Sequence, residues 1–230
     1  MRVLCGECGI RGAPPGFYTK EMTCAICQIR RPRRFCPGVG GDICTLCCGS
    51  GREVTVTCPF ECEFLQEARK HQDPPSLNST DPPNSDIRVT EKALEENDQL
   101  VAFLSHRLVQ AALSVPGIVD FDAREALDAL IRTFRTLQSG IYYESLPQSR
   151  PALHIYRALQ QSLEDLRREE SQNGVSKTRD SDVLLVLAFL QRLELDRNNG
   201  RQRGRAFLNL LWDFYGAPPK EPSASSLILP

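Results

Sequence analysis

All ten cysteines of this 230-residue chain lie between Cys5 and Cys62, and none follows. That asymmetry divides the chain before any helix or strand is assigned. Residues 1–72 are rich in Gly, Pro, Cys and Arg, with only scattered large apolar residues such as Ile26, Phe35, Val54, Val56 and Phe64. A segment of that kind buries too little surface to fold alone, and bound metal supplies the missing free energy, roughly 10 kcal/mol or more for structural zinc peptides. The reading predicts a front module that is unfolded without metal.

The start of the chain has no apolar run of signal-peptide length, and no window approaches the roughly 20 apolar residues that cross a bilayer. A cytoplasmic protein with no membrane partner is the expectation. In a reducing compartment, C-x-x-C pairs are metal ligands or redox groups before they are disulfides. Residues 1–72 carry ten Lys and Arg against seven Asp and Glu, so the front is +3 and the remainder −4. Two divalent ions, each held by four thiolates, would add about −4 and leave the front near neutral.

Two C-x-x-C pairs come first, Cys5 with Cys8 and Cys24 with Cys27, separated by fifteen residues. Each pair wraps an ion through one tight turn, and the interval is long enough for a hairpin that brings the turns face to face. Gly9 follows Cys8 and frees the backbone to turn its amides toward sulfur, whereas no glycine follows Cys27. Four thiolates without histidine leave no open position for water, so the expected role is structural.

The second constellation is Cys36, Cys44, Cys47, Cys48, Cys58 and Cys62. Here "REVTVT" alternates β-branched residues as a strand does, and "ECEFLQEARKH" has the pattern of a helix. Adjacent side chains in extended backbone point to opposite faces, so Cys47 and Cys48 do not serve one mononuclear site. Three arrangements follow: one zinc on Cys44, Cys47, Cys58 and Cys62 with Cys36 and Cys48 left as a small pair; a binuclear cluster on all six; or an iron–sulfur or redox centre.

The first four cysteines resemble a zinc ribbon. "CTLCC" followed by "CPFEC" resembles the opening of the YkgJ-type zinc- or iron-chelating proteins, whose later cysteines have no counterpart here, and "CCGSG" is similar to the SEC-C metal-binding motif in another order. The whole arrangement is similar to bacterial proteins with a zinc-ribbon start, a six-cysteine segment and a helical back half. These resemblances cover about the first 70 residues and imply metal binding.

The expected fold is mainly α. A zinc-ribbon-like module of short strands and turns (1–72) leads through a Pro/Ser/Asn linker (73–86) to a bundle of about five helices (87–216) and a flexible tail (217–230). Thr90 N-caps a first apolar stripe carrying Leu94, Val101, Leu104 and Leu108, and "VPGIVD" breaks it. Asp122 and Glu125 start the second helix, and Ser149 with Pro151 the third, ended by Gly174. The fourth, "SDVLLVLAFLQRLEL", is apolar nearly all round and is expected to be the most buried; "RAFLNLLWDFYG" closes the set.

Function is read from what the patterns contain. None of His71, His106 and His154 has the glutamate spacing of E-x-x-H or H-E-x-x-H, and no nucleophile elbow is present, so no catalysis and no small-molecule substrate are expected. A binding or adaptor protein holding two zinc ions, with a protein partner on the helical domain, is the leading expectation. "RRPRR" supplies Arg30, Arg31, Arg33 and Arg34, which either contact nucleic-acid phosphates or balance neighbouring thiolates. "DRNNGRQRGR", residues 196–205, matches neither dinucleotide nor P-loop spacing and reads as an exposed interhelical loop.

Overall fold

The computed structural model describes residues 23–71, 83–140, 143–174 and 178–216. Cys5, Cys8, most of the expected linker and the expected tail lie outside them. The chain is mainly helical, and the described residues hold one two-stranded sheet: β1 (Arg34–Cys36), β2 (Gly41–Ile43), α1 (Thr45–Gly51), α2 (Glu63–Arg69), α3 (Glu91–Glu96), α4 (Asp98–Ser114), α5 (Asp120–Gln138), α6 (Arg150–Gln172), α7 (Asp180–Arg197) and α8 (Ala206–Tyr215).

β1 and β2 form an antiparallel hairpin in which Arg34 faces Ile43 and Cys36 faces Gly41. Its turn, Pro37–Gly40, uses Gly40 at φ +70°, and Gly38 packs so tightly that a Cβ there would lie 2.5 Å from the Thr57 carbonyl oxygen. The strand expected over "REVTVT" is not formed. Gly51 ends α1, and its carbonyl accepts from the amides of Val54, Thr55 and Val56, with Glu53 left-handed at φ 54°. Tertiary demand overrides β propensity here, because the turn drives the Glu53 side chain into the interior, where it is fully buried.

In the helical part, α5 packs on α6 and α7, and α4 packs on α6 and α8. The Thr90 hydroxyl accepts from the Ala93 amide as expected of an N-cap, but the first stripe is broken at Asn97 into α3 and α4, so six helices stand where about five were expected. Asp122 accepts from the Val119 amide at 3.0 Å and Ser149 from the Ala152 amide at 3.1 Å. Gly174 ends α6 at φ +69°. α7 buries Val183, Val186, Leu187, Ala188 and Leu190 completely, in keeping with its nearly continuous apolar surface. Among the described residues no helix is long and apolar enough to cross a membrane.

The cysteine-rich module is docked on this bundle. Phe60 belongs to the helical core and stacks on Trp212, with ring centroids 6.2 Å apart. The loop 198–205, expected to be exposed, is the surface it docks on. Arg205 lies 3.9 Å over the Phe60 ring, Asn199 donates to Glu53 at 2.8 Å, and Arg201 donates to the Arg52 carbonyl. The end of the expected linker is also pinned: Asn84 bonds Gln191, and Asp86 pairs with Arg135 at 2.6 Å.

Candidate metal centre

Two short segments build the centre. Cys24 to Cys27 is a turn in which the Gln28 amide donates to the Cys24 carbonyl, and the Ala25 amide ties it to β2 through the Asp42 carbonyl. Gln28 takes φ 54°, the left-handed conformation that a glycine adopts more readily, so the missing glycine is replaced at some conformational cost. Cys44 and Cys47 come from the start of α1. Cys44 is the N-cap, and its sulfur accepts from the Cys47 amide at 3.4 Å.

The sulfurs of Cys24, Cys27, Cys44 and Cys47 lie within 4.8 Å of one another. A tetrahedral zinc with 2.3 Å bonds needs sulfurs about 3.8 Å apart, so a contraction of ångström scale closes the site. Cys24, Cys44 and Cys47 are buried and Cys27 is partly so. The donor set is all thiolate, which suits zinc or iron and not magnesium or calcium.

The grouping differs from the one expected from chain order. Among the described residues the cysteines brought together take one pair from each expected quartet, Cys24 and Cys27 from Cys5–Cys8–Cys24–Cys27 and Cys44 and Cys47 from Cys44–Cys47–Cys58–Cys62, while Cys5 and Cys8 lie outside the described residues. The hairpin β1–β2 between the pairs brings the two turns together. Cys36, Cys48, Cys58 and Cys62 lie elsewhere in the module, around a small apolar cavity. Cys47 and Cys48 do part company, but as successive positions of helix α1, about 100° apart, and not across an extended strand.

The protonation of the quartet is uneven. Burial opposes ionisation of Cys24, yet the amides of Cys27, Cys44 and Ile26 outweigh it and bring the thiol down to about 6. The amides of Ile29 and Arg30 lower Cys27. Cys47 is pushed up to about 12 by its hydrogen bond to Cys44 and then by burial. Crowded by its neighbours' sulfurs, Cys47 therefore resists losing its proton without a cation among them.

The Arg30 guanidinium lies beside Cys44 and in the field of Cys27 and Cys47, which raises its pKa. Arg34 is placed 3.8 Å from the Cys48 sulfur and 3.7 Å over the Phe64 ring. Arg30, Arg31 and Arg33 are exposed. Of the four arginines named as phosphate contacts, Arg34 is set against sulfur, and Arg30, although exposed, lies in the field of the quartet.

The histidines make local bonds: His71 with Glu67, His106 with the Tyr215 carbonyl at 2.7 Å, and His154 with Ser114 at 2.8 Å. A cavity of about 810 Å³ lies between α4, α6 and the start of α7. It is lined by Glu96, Asp98, Glu170, Arg179 and Asp182 among others, with no cysteine. The residues that sequence reasoning missed are Glu53, Asn199 and Arg205. Nothing local marks Glu53 as the side chain that docks the module, since its docking partners Asn199 and Arg205 lie 146 and 152 positions away. No protein-family model, curated protein sequence or solved structure matches this chain.

Proposed function

We propose that this is a zinc-binding adaptor of the cytoplasm, in which a structural tetrathiolate site shapes the cysteine-rich module and the assembled molecule presents a surface to a protein partner. The observation that carries the reading is the convergence of Cys24, Cys27, Cys44 and Cys47 within 4.8 Å. Four sulfur donors fill a tetrahedral ion and leave no position for a substrate or an activated water. The docking of the module through Glu53 and Phe60 supports one combined binding body rather than two tethered ones.

The test is elemental analysis of anaerobically purified full-length protein, with thiol titration before and after chelation. Colourless protein holding zinc, with Cys24, Cys27, Cys44 and Cys47 reactive only after chelation, supports the reading. Iron and colour would establish an iron–sulfur protein in its place.

A nucleic-acid-associated role is the second reading, favoured by the exposure of Arg31 and Arg33. It has less support, because Arg30 and Arg34 already answer the charge of nearby sulfur. Mobility shifts on plain DNA and RNA at two salt concentrations decide it. Phosphate contacts require a salt-sensitive shift that Arg31→Ala with Arg33→Ala weakens.

A further inference from the structure

We infer that Cys36, Cys48, Cys58 and Cys62 form a second zinc site, interleaved with the first. The inference extends the zinc reading of the first quartet, and its test separates the two. All four cysteines line one cavity of the module, with Ile43, Val56, Phe64, Arg34 and Arg52 also in its wall. No histidine or carboxylate lines it, so the donors are sulfur alone.

Each ligand arrives from a short, well-fixed element. Cys36 ends β1, where its carbonyl accepts from the Val39 and Gly40 amides and so anchors the hairpin turn. Cys48 stands in α1. Cys58 and Cys62 flank a turn closed by the Cys62 amide on the Pro59 carbonyl, and Cys62 opens α2 as its N-cap. Unlike Cys44 at the head of α1, Cys62 makes no side-chain cap bond, which leaves its sulfur available to an ion.

The chain order is the signature of two braced ions. Cys24 and Cys27 serve the first, Cys36 the second, Cys44 and Cys47 the first, then Cys48, Cys58 and Cys62 the second. This order gives the adjacent pair Cys47 and Cys48 a reason, because the α1 twist of about 100° per residue sends each to its own ion. The charges agree. A zinc tetrathiolate carries −2, and the guanidiniums of Arg34 and Arg52 stand 3.8 Å and 4.0 Å from the Cys48 sulfur.

The cavity is small, about 10 Å³, on the scale of a single water-sized particle. All-sulfur donors suit zinc or iron, and the occupant inferred is one zinc ion. Among the described residues the first quartet has its sulfurs all within 4.8 Å, and no three sulfurs of the second quartet lie that close together. The second quartet is therefore the wider, and binding draws it in toward the 3.8 Å or so that a tetrahedral zinc imposes.

The experiment uses the full-length chain with Cys5→Ser and Cys8→Ser, leaving eight cysteines, loaded with zinc alone and counted by elemental analysis. Two zinc ions per chain are expected, falling to one when Cys36→Ser and Cys58→Ser are added. In case those changes prevent folding, alkylation mapped by mass spectrometry on the unsubstituted protein gives an independent reading. Cys36, Cys48, Cys58 and Cys62 are expected to be protected until chelation. One zinc per chain, with those four thiols reactive and Cys24, Cys27, Cys44 and Cys47 protected, overturns the second site and leaves the first intact. Disulfides among the four in anaerobic protein, or bound iron, overturn it as well. Absence of zinc with all eight thiols reactive overturns both sites.

Discussion

The Glu53 carboxylate accepts a hydrogen bond at 2.8 Å from the side-chain amide of Asn199, joining the turn after α1 to the loop before α8 across 146 positions of sequence. The same carboxylate pairs with Arg69 of α2 at 2.8 Å and accepts from the Arg205 amide at 3.1 Å, while the Glu53 carbonyl accepts from the Arg203 amide. A fully buried charge with this many donors stabilises the docked arrangement only as a complete set. Removing the carboxylate strands Arg69 and an orphan amide in the interface.

Glu53→Ala is accordingly expected to cost about 3–5 kcal/mol in denaturant unfolding, the range for breaking a buried pair. Glu53→Gln keeps acceptor geometry without charge and should cost less. A loss below about 1 kcal/mol for Glu53→Ala would show that the module does not depend on this contact.

Trp212 is the chain's single tryptophan, and it stacks on Phe60, which lies between Cys58 and Cys62. Its fluorescence therefore reports docking of the cysteine-rich module. Phe60→Ala is expected to shift emission to the red and to cost about 3–5 kcal/mol, as large aromatic truncations in cores do. Chelation of the wild-type protein should give a red shift in the same direction. An unchanged spectrum on complete metal removal would mean that the module stays docked without metal.

The parts of the fold that were legible in the sequence are those set by local rules. Thr90 and Ser149 cap helices because their hydroxyls reach amides three residues on, and the middle of α7 is buried because Val183 to Leu190 is an unbroken apolar run. The C-x-x-C spacing marked Cys24 with Cys27 and Cys44 with Cys47 as pairs, but spacing does not say which pairs meet. That is decided by the β1–β2 hairpin and by α1, whose "TLCCGSG" is a poor helix on propensity and forms because Cys44 caps it and Cys47 is buried. The "VTVT" alternation misled for a related reason, since the burial of Glu53 outweighs the preference of its neighbours for a strand. Docking through loop 198–205 left no sequence mark at all.

Gln28 permits a sharper test of the first site. At φ 54° it bears a left-handed cost of roughly 1–2 kcal/mol that glycine escapes, partly offset by glycine's greater freedom in the unfolded chain. Gln28→Gly is expected to leave zinc stoichiometry unchanged and to raise stability by about 0.5–1 kcal/mol. Gly40→Ala, at φ +70° with open space around it, should move stability the other way by a similar amount. If both changes lower stability alike, backbone conformation is not what limits the turn.

Asp120 should govern a pH dependence in the helical body. Its carboxyl is buried and pushed up to about 7 by desolvation, against the opposing pull of the Leu208 and Phe207 amides, with Glu194 and Glu53 adding like charge. A carboxyl whose folded pKa lies above its unfolded value near 3.9 binds more protons when folded, so its contribution falls as pH rises. The window runs from about pH 4 to about pH 7, with a slope approaching 1.4 kcal/mol per pH unit inside it and none above it. Asp120→Asn keeps one acceptor at the α8 N-terminus and removes the titration. Thermal unfolding at pH 5, 6, 7 and 8 should show the wild-type protein losing stability relative to this variant up to about pH 7 and running parallel to it beyond. A difference that stays constant from pH 5 to pH 7 would place the Asp120 carboxyl in its ordinary ionised range, held by the two α8 amides at 3.0 Å.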